Sequence, residues 1–247
     1  MPEAKQRIID FHCHVKGGDY YRREFRAEDI VAAADECGIE KTVVFSMCLP
    51  SRESNELTKR EAEKFPERLI PFAHAVPDEG KMALEEVVRC FDELGWRGLK
   101  LHCGEMDEPA PEKIIPFLKL CAEYNRPCLI DVASNVQLTK AIAEAVGDCK
   151  LVVAHLGAPR DERLVDRFIS LALELKHIMF DLSYCHVPWK MQTAVDVLGA
   201  ERLIFGSDGM LYHPRIELAK IDCLKLTPEQ RAAILYDNAA RLLKLSQ

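Results

Sequence analysis

A chain of 247 residues with 48% hydrophobic side chains can bury a sizeable core, which argues against disorder. Its net charge of -7 is spread over interspersed acids and bases without a basic, aromatic-laced stripe, so no nucleic-acid partner is expected. No apolar run is long enough to span a bilayer, the start MPEAKQR lacks a signal-peptide core, and the ten cysteines form no CxxC pair; the expectation is a reduced, cytoplasmic setting with no membrane partner.

Short β-branched runs then recur along the chain, each followed by a helical pattern. The first is RIIDFHCH (7–14), followed by EDIVAAADECG. The second, KTVVFSM (41–47), precedes NELTKREAEKF, which reads as a polar, exposed helix. LIPFAHAV (69–76) comes before MALEEVVRCFDELG, RGLKLHC (97–103) before EKIIPFLKLCAEYN, and PCLIDVA (127–133) before LTKAIAEAVG. KLVVAHLG (150–157) leads to RLVDRFISLALELK. The last two runs are IMFDLSYC (178–185) and RLIFGSDG (202–209). The tail TPEQRAAILYDNAARLLKL opens with Thr227 as N-cap and Pro228 at the first helical position. This order predicts one domain over residues 1–247, an α/β fold: a parallel, eight-stranded (β/α)8 TIM barrel with an extra C-terminal helix. An open doubly wound sheet is the alternative, but the glycine-rich phosphate turn after strand one is absent.

In such a barrel, chemistry gathers where strands end and the following loops begin. Those positions hold His12 and His14, His74, Lys100 and His102, Asp131, His155, Asp181 with His186 beyond it, and Asp208. Strand alternation points His12 and His14 to one side, which suits two nitrogens on one metal ion. Taken alone, HxH is equally well a pair of core or surface histidines; agreement with His155 and Asp208 on other strands favours the metal. Asp10 shares their parity and should face inward one layer lower, where it could orient a ligand histidine. Cys13, between the histidines, should face the helices as packing. Lys100 could close an ion pair with Asp131 or Asp208. Lys100, His102 and His186 are candidate substrate contacts, and the aromatic, basic stretch 16–26 could form a lid over an anionic substrate.

Taken together and in order, IDFHCH, GLKLH, AHLGA, FGSDG and DNAARLL resemble the amidohydrolase-related family, over essentially the whole chain. That resemblance implies a metal-dependent barrel hydrolase or decarboxylase. It implies His12, His14 and Asp208 as metal ligands, His155 as ligand or catalytic histidine, and Asp208 as the group taking a proton from water. Relatives often end strand five with a ligand histidine, in a pattern like PVLIHAG; here PCLIDVA places Asp131 there, as ligand or supporting carboxylate. The expected cofactor is a divalent metal, zinc first and manganese second. The expected reaction is hydrolysis of a small amide, lactone or ester. The alternatives are non-oxidative decarboxylation of a small aromatic or muconate-like acid, and a barrel without catalysis that acts as a binding protein. The expected partner is a small-molecule substrate, and a homodimer is left open.

Overall fold

The computed structural model describes residues 6–17, 23–209 and 211–245. Nine parallel strand segments alternate with helices: β1 (Ile9–Val15), α1 (Ala27–Cys37), β2 (Lys41–Ser46), α2 (Ser51–Ala62), β3 (Leu69–Pro71), β4 (Ala73–His74), α3 (Lys81–Asp92), β5 (Leu99–His102), α4 (Pro111–Glu123), β6 (Pro127–Asp131), α5 (Val136–Ala145), β7 (Lys150–Val153), α6 (Glu162–Glu174), β8 (Ile178–Asp181), α7 (Pro188–Leu198), β9 (Leu203–Ile204) and α8 (Pro214–Asp222). The expected lid falls partly, at residues 18–22, outside the described residues.

The strands pair in the order β1-β2-β3 and β4-β5-β6-β7-β8-β9. The expected third strand is divided at Phe72, where the chain changes partner: Phe72 N donates to Val44 O at 2.9 Å, and Ala73 N to Gly98 O at 2.9 Å. The first and last segments also meet. Phe11 N donates to Phe205 O at 3.0 Å, and Cys13 forms a parallel bridge with Gly209. The expected eighth strand is regular only at Leu203–Ile204, because Phe205 N instead donates to Ile234 O, 2.9 Å away, in a π-helical turn, Ala233–Asp237. That turn joins α9 (Pro228–Ala232) to α10 (Asn238–Leu243), so the expected single tail helix is two helices and a turn. Thr227 caps α9 as expected, accepting from Gln230 N. Asn238, from the DNAARLL segment, donates to Ala200 O and Leu203 O, both at 2.8 Å, and clamps the start of β9.

Two buried layers surround the strands. Leu99, Leu101, Ile130, Val153 and Phe180 pack outward against the helices. Ile9, Phe11, Phe45, Phe72, Leu129 and Ile204 fill the interior, which Leu242 and Leu243 of α10 cover. Each such buried side chain contributes roughly 1.5–3 kcal/mol by leaving water.

A bulge decides what faces the interior. Asp10 pairs with Thr42 but Cys13 with Val44, so β1 carries one extra residue between them. Phe11 therefore joins the interior before the bulge, while His12 and His14 face the strand ends after it. Asp10, contrary to the parity expectation, pairs beside Thr42 and accepts from Ser207 N at 2.8 Å and Ser207 Oγ at 2.5 Å. Its partners are the backbone of His12 and the last strand, not an imidazole. Cys13 packs with Val15, Ala27, Ile30 and Leu57, as alternation suggested.

Helix α2 departs from its expected exposure. Its polar side is the buried one, because those side chains serve backbone groups at neighbouring strands. Thr58 Oγ1 accepts from Ser46 N at 2.8 Å, and Asn55 both accepts from His74 N and donates to His74 O. Glu61 accepts from Ala27 N at 3.1 Å.

Candidate metal centre

The β1 bulge and the end of β8 place His12 beside Asp181. His12 Nδ1 lies 2.7 Å from Asp181 Oδ2, and both side chains are fully buried. Asp181 is fixed in turn by Ser183 N at 2.7 Å and Ser183 Oγ at 2.8 Å. Burial alone would raise the Asp181 pKa, but the electrostatic pull and hydrogen bond of the His12 N–H outweigh it and hold it at about 2. An ionised carboxylate accepts, so His12 carries its proton on Nδ1 and leaves the Nε2 lone pair toward the cavity.

The chain leaves β7 through a tight turn, Ala154–Gly157, in which His155 and Leu156 adopt left-handed backbone angles, with φ 59° and 54°. Side-chain-bearing residues adopt that region at a cost of roughly 1–3 kcal/mol, so the surroundings must hold them there. The turn brings His155 Nδ1 to 3.0 Å from both Ser183 O and Ser183 Oγ. A carbonyl can only accept, so this ring too is protonated on Nδ1 and presents Nε2.

Asp208 completes the group, also in a left-handed conformation with φ 53°. His12, His155 and Asp208 each offer a ligand atom, and the three atoms lie within 4.8 Å of one another. His14 stands beside this group: its Nε2 is 2.8 Å from Asp208 Oδ1, while its buried Nδ1 has no hydrogen-bond partner. Burial lowers the pKa of His12, with Lys100 adding to the shift, and pushes His14 down to about 3. Asp208 stays ionised, since the hydrogen bond from His14 and the neighbouring imidazoles outweigh the opposing effect of burial.

Asp131 lies off this cluster. Its Oδ2 is 3.2 Å from His102 Nε2 and 3.5 Å from His155 Nε2, and its Oδ1 accepts from Ala133 N at 2.8 Å. His102 Nδ1 accepts from Gly104 N, so its proton sits on Nε2, facing Asp131. Burial would raise the Asp131 pKa, but His102, His155 and Lys100 hold it well below the carboxylate range. Lys100 is fully buried, and among the described residues it forms no ion pair with Asp131 or Asp208; its Nζ is 3.2 Å from His12 Nε2. His186 is exposed at the rim, 3.2 Å from Tyr212 OH, and lies outside the cavity lining. His213 caps α8 near Glu36, at the surface.

The cavity at these strand ends measures about 390 Å³ and is walled by His12, Lys100, Asp131, His155, Tyr184 and Asp208 among others. A cavity of about 430 Å³ opens at the opposite ends of the strands, near Lys41, Leu69 and Trp96, and holds no ligand cluster among the described residues. Sequence reading passed over Ser183. Ser183 holds two of the functional side chains, and Glu105 accepts from His74 Nε2 at 2.8 Å and Cys48 N at 2.6 Å. Burial is offset by His74 at Glu105, leaving its pKa at about 2.

A family model described as amidohydrolase matches residues 9–245. The chain belongs to the amidohydrolase family. Solved structures share its fold. A putative 2-pyrone-4,6-dicarboxylic acid hydrolase from Pseudomonas putida aligns with a TM-score of 0.78 and 19% identity, covering 99% of this chain and 100% of that one. A 2,6-dihydroxybenzoate decarboxylase from Rhizobium aligns with a TM-score of 0.74 and 17% identity, covering 97% and 99%. A 4-oxalomesaconate hydratase from Rhodopseudomonas palustris aligns at 0.70 and 18%, covering 96% and 95%. A sequence search of curated proteins found no match.

The residues present fit a divalent cation. Two imidazoles with their outer nitrogens anchored, plus one ionised carboxylate, form a donor set of the kind that holds a divalent metal. Among the described residues, no helix is long and apolar enough to cross a membrane.

Proposed function

We propose that this amidohydrolase-family chain is a metal-dependent hydrolase of a small amide, lactone or ester. The observation that carries the reading is the convergence of His12, His155 and Asp208, with each imidazole held at its outer nitrogen. These three side chains would hold the cation, zinc first or manganese. When bound, the cation supplies Lewis acidity and lowers the pKa of water from 15.7 toward about 7.

The chain's own groups do the rest. Asp208 takes the proton of the attacking water and returns it to the leaving group, the work of a positioned acid–base. His14 donates to Asp208 Oδ1 and keeps that carboxylate ionised and aimed. Lys100 and His102 line the cavity; Lys100 offers N–H donors to the oxygen on which negative charge develops, while the one N–H of His102 faces Asp131. Asp181 and Ser183 keep His12 and His155 in the required tautomers.

Decarboxylation of a small carboxylic acid is the second reading, favoured by the likeness to the Rhizobium decarboxylase, close to that of the Pseudomonas hydrolase. The compounds for which all three neighbours are named are carboxylic acids, so the screen includes them. Elemental analysis after reconstitution with zinc or manganese, then assays on lactones, amides, esters and aromatic acids, tests both. Stoichiometric metal and hydrolysis are the expected results. Carbon dioxide release without hydrolysis would reverse the ranking, and a protein that takes up no metal would leave the non-catalytic barrel.

A further inference from the structure

Both ring nitrogens of His12 are engaged. Nδ1 gives its proton to Asp181 at 2.7 Å, so the neutral ring keeps one in-plane lone pair, on Nε2. Lys100 Nζ lies 3.2 Å from that Nε2. A lysine nitrogen carries N–H bonds whether or not it holds its third proton, so in either form it is the donor. One lone pair cannot accept this hydrogen bond and bind a cation at the same time. Lys100 is fully buried, so releasing His12 also requires another partner inside the protein. The carboxylates acting on Lys100 are Asp131, Asp208, Asp181 and Glu105, and Asp131 acts most strongly. Asp208 and Asp181 are held among the buried histidines of the cluster and Glu105 by His74, whereas Asp131, bonded to His102 and Ala133 N, keeps 20% of its side chain exposed. Asp131 sits on the neighbouring strand, paired with His102 two residues beyond Lys100.

We propose that Lys100 is an internal competitor for the metal centre: its amine occupies the His12 Nε2 lone pair until a divalent cation displaces it, and Asp131 receives the displaced amine. Asp131 then acts on metal loading without being a ligand, which accounts for a carboxylate at the strand position where the family resemblance expects a histidine. This rests on His12 being a ligand, as argued above.

Calorimetric titration of the metal-free protein with zinc, and separately with manganese, tests it without any substrate. Lys100→Met should bind about tenfold more tightly, the scale of losing one competing hydrogen bond. Lys100→Gln, too short to reach His12, should change affinity in the same direction and serves if the first variant fails to fold. Asp131→Asn should weaken binding several-fold in the parent and have no effect in the Lys100→Met background, the signature of coupled rather than independent sites. Unchanged or weaker affinity in both lysine variants would overturn the competition while leaving the metal reading intact. Equal weakening by Asp131→Asn in both backgrounds would make Asp131 a direct ligand and also overturn it. Absence of binding in every variant would instead defeat the ligand assignment beneath it.

Discussion

The two walls of the cavity are built to different tolerances. On one, His12, Asp181, Ser183 and Asp208 are buried, and each is held by neighbours from distant parts of the chain. On the other, His102 and Asp131 keep 28% and 20% of their side chains exposed, and each uses a local backbone N–H as a second partner. Chemistry that depends on tautomer and lone-pair direction needs the first kind of wall. A wall that stays partly exposed can change composition at little cost, and it is there that Asp131 departs from the family pattern.

The difference is sharpest at Asp208. Asp208→Asn keeps an oxygen toward the cluster but cannot take a proton, so kcat on the best substrate should fall by about 10²–10⁴ with metal still detectable by elemental analysis. Full turnover in that variant would remove Asp208 from the mechanism. Next comes the support of His12. Asp181→Asn should cost about 10–100-fold in zinc affinity, the usual effect of losing the carboxylate behind a ligand histidine. In the same titration His102→Ala should change affinity less than threefold, roughly the limit for a group that touches no ligand. Equal losses would erase the distinction between the walls.

The smallest effect concerns the support behind Tyr184, which lies next to the tight wall. Glu217 on α8 accepts from Tyr184 N at 3.1 Å and pairs with Lys220, yet burial lifts its pKa to about 7. The folded protein therefore keeps a proton that the unfolded chain releases near 4.5, and stability falls as pH rises from about 4.5 to 7, then levels. Urea unfolding across this range should show a decline on the order of 1–3 kcal/mol. Glu217→Gln should lessen it, leaving the share of Asp10, which burial also raises to about 7; an unchanged slope would assign the whole decline to Asp10.

Much of the architecture was legible because alternation of short apolar runs with amphipathic stretches favours parallel strands flanked by helices. His12, His155 and Asp208 stood out because polar side chains recurred at strand ends. Three features stayed hidden for definite reasons. The β1 bulge reverses alternation at Phe11, and nothing local marks it, so the side chosen for Asp10 did not survive. Helix α2 looks exposed because Ser54, Asn55, Thr58 and Glu61 are polar, yet they are buried to satisfy backbone groups of neighbouring strands, a loop and α1. Ser183 carries no motif; its importance comes from contacts with His12, 171 positions earlier, and His155, 28 positions earlier.

The junction of Asp10 with Ser207 spans 197 positions. During synthesis, the segment bearing both histidines must wait for the 197 positions that follow before its carboxylate finds a mate. Long-separated contacts of this kind slow folding and leave sticky intermediates exposed in the meantime. A rearranged chain in which the segment from Leu203 onward precedes β1 would make the two segments neighbours, and it should reach its native form faster.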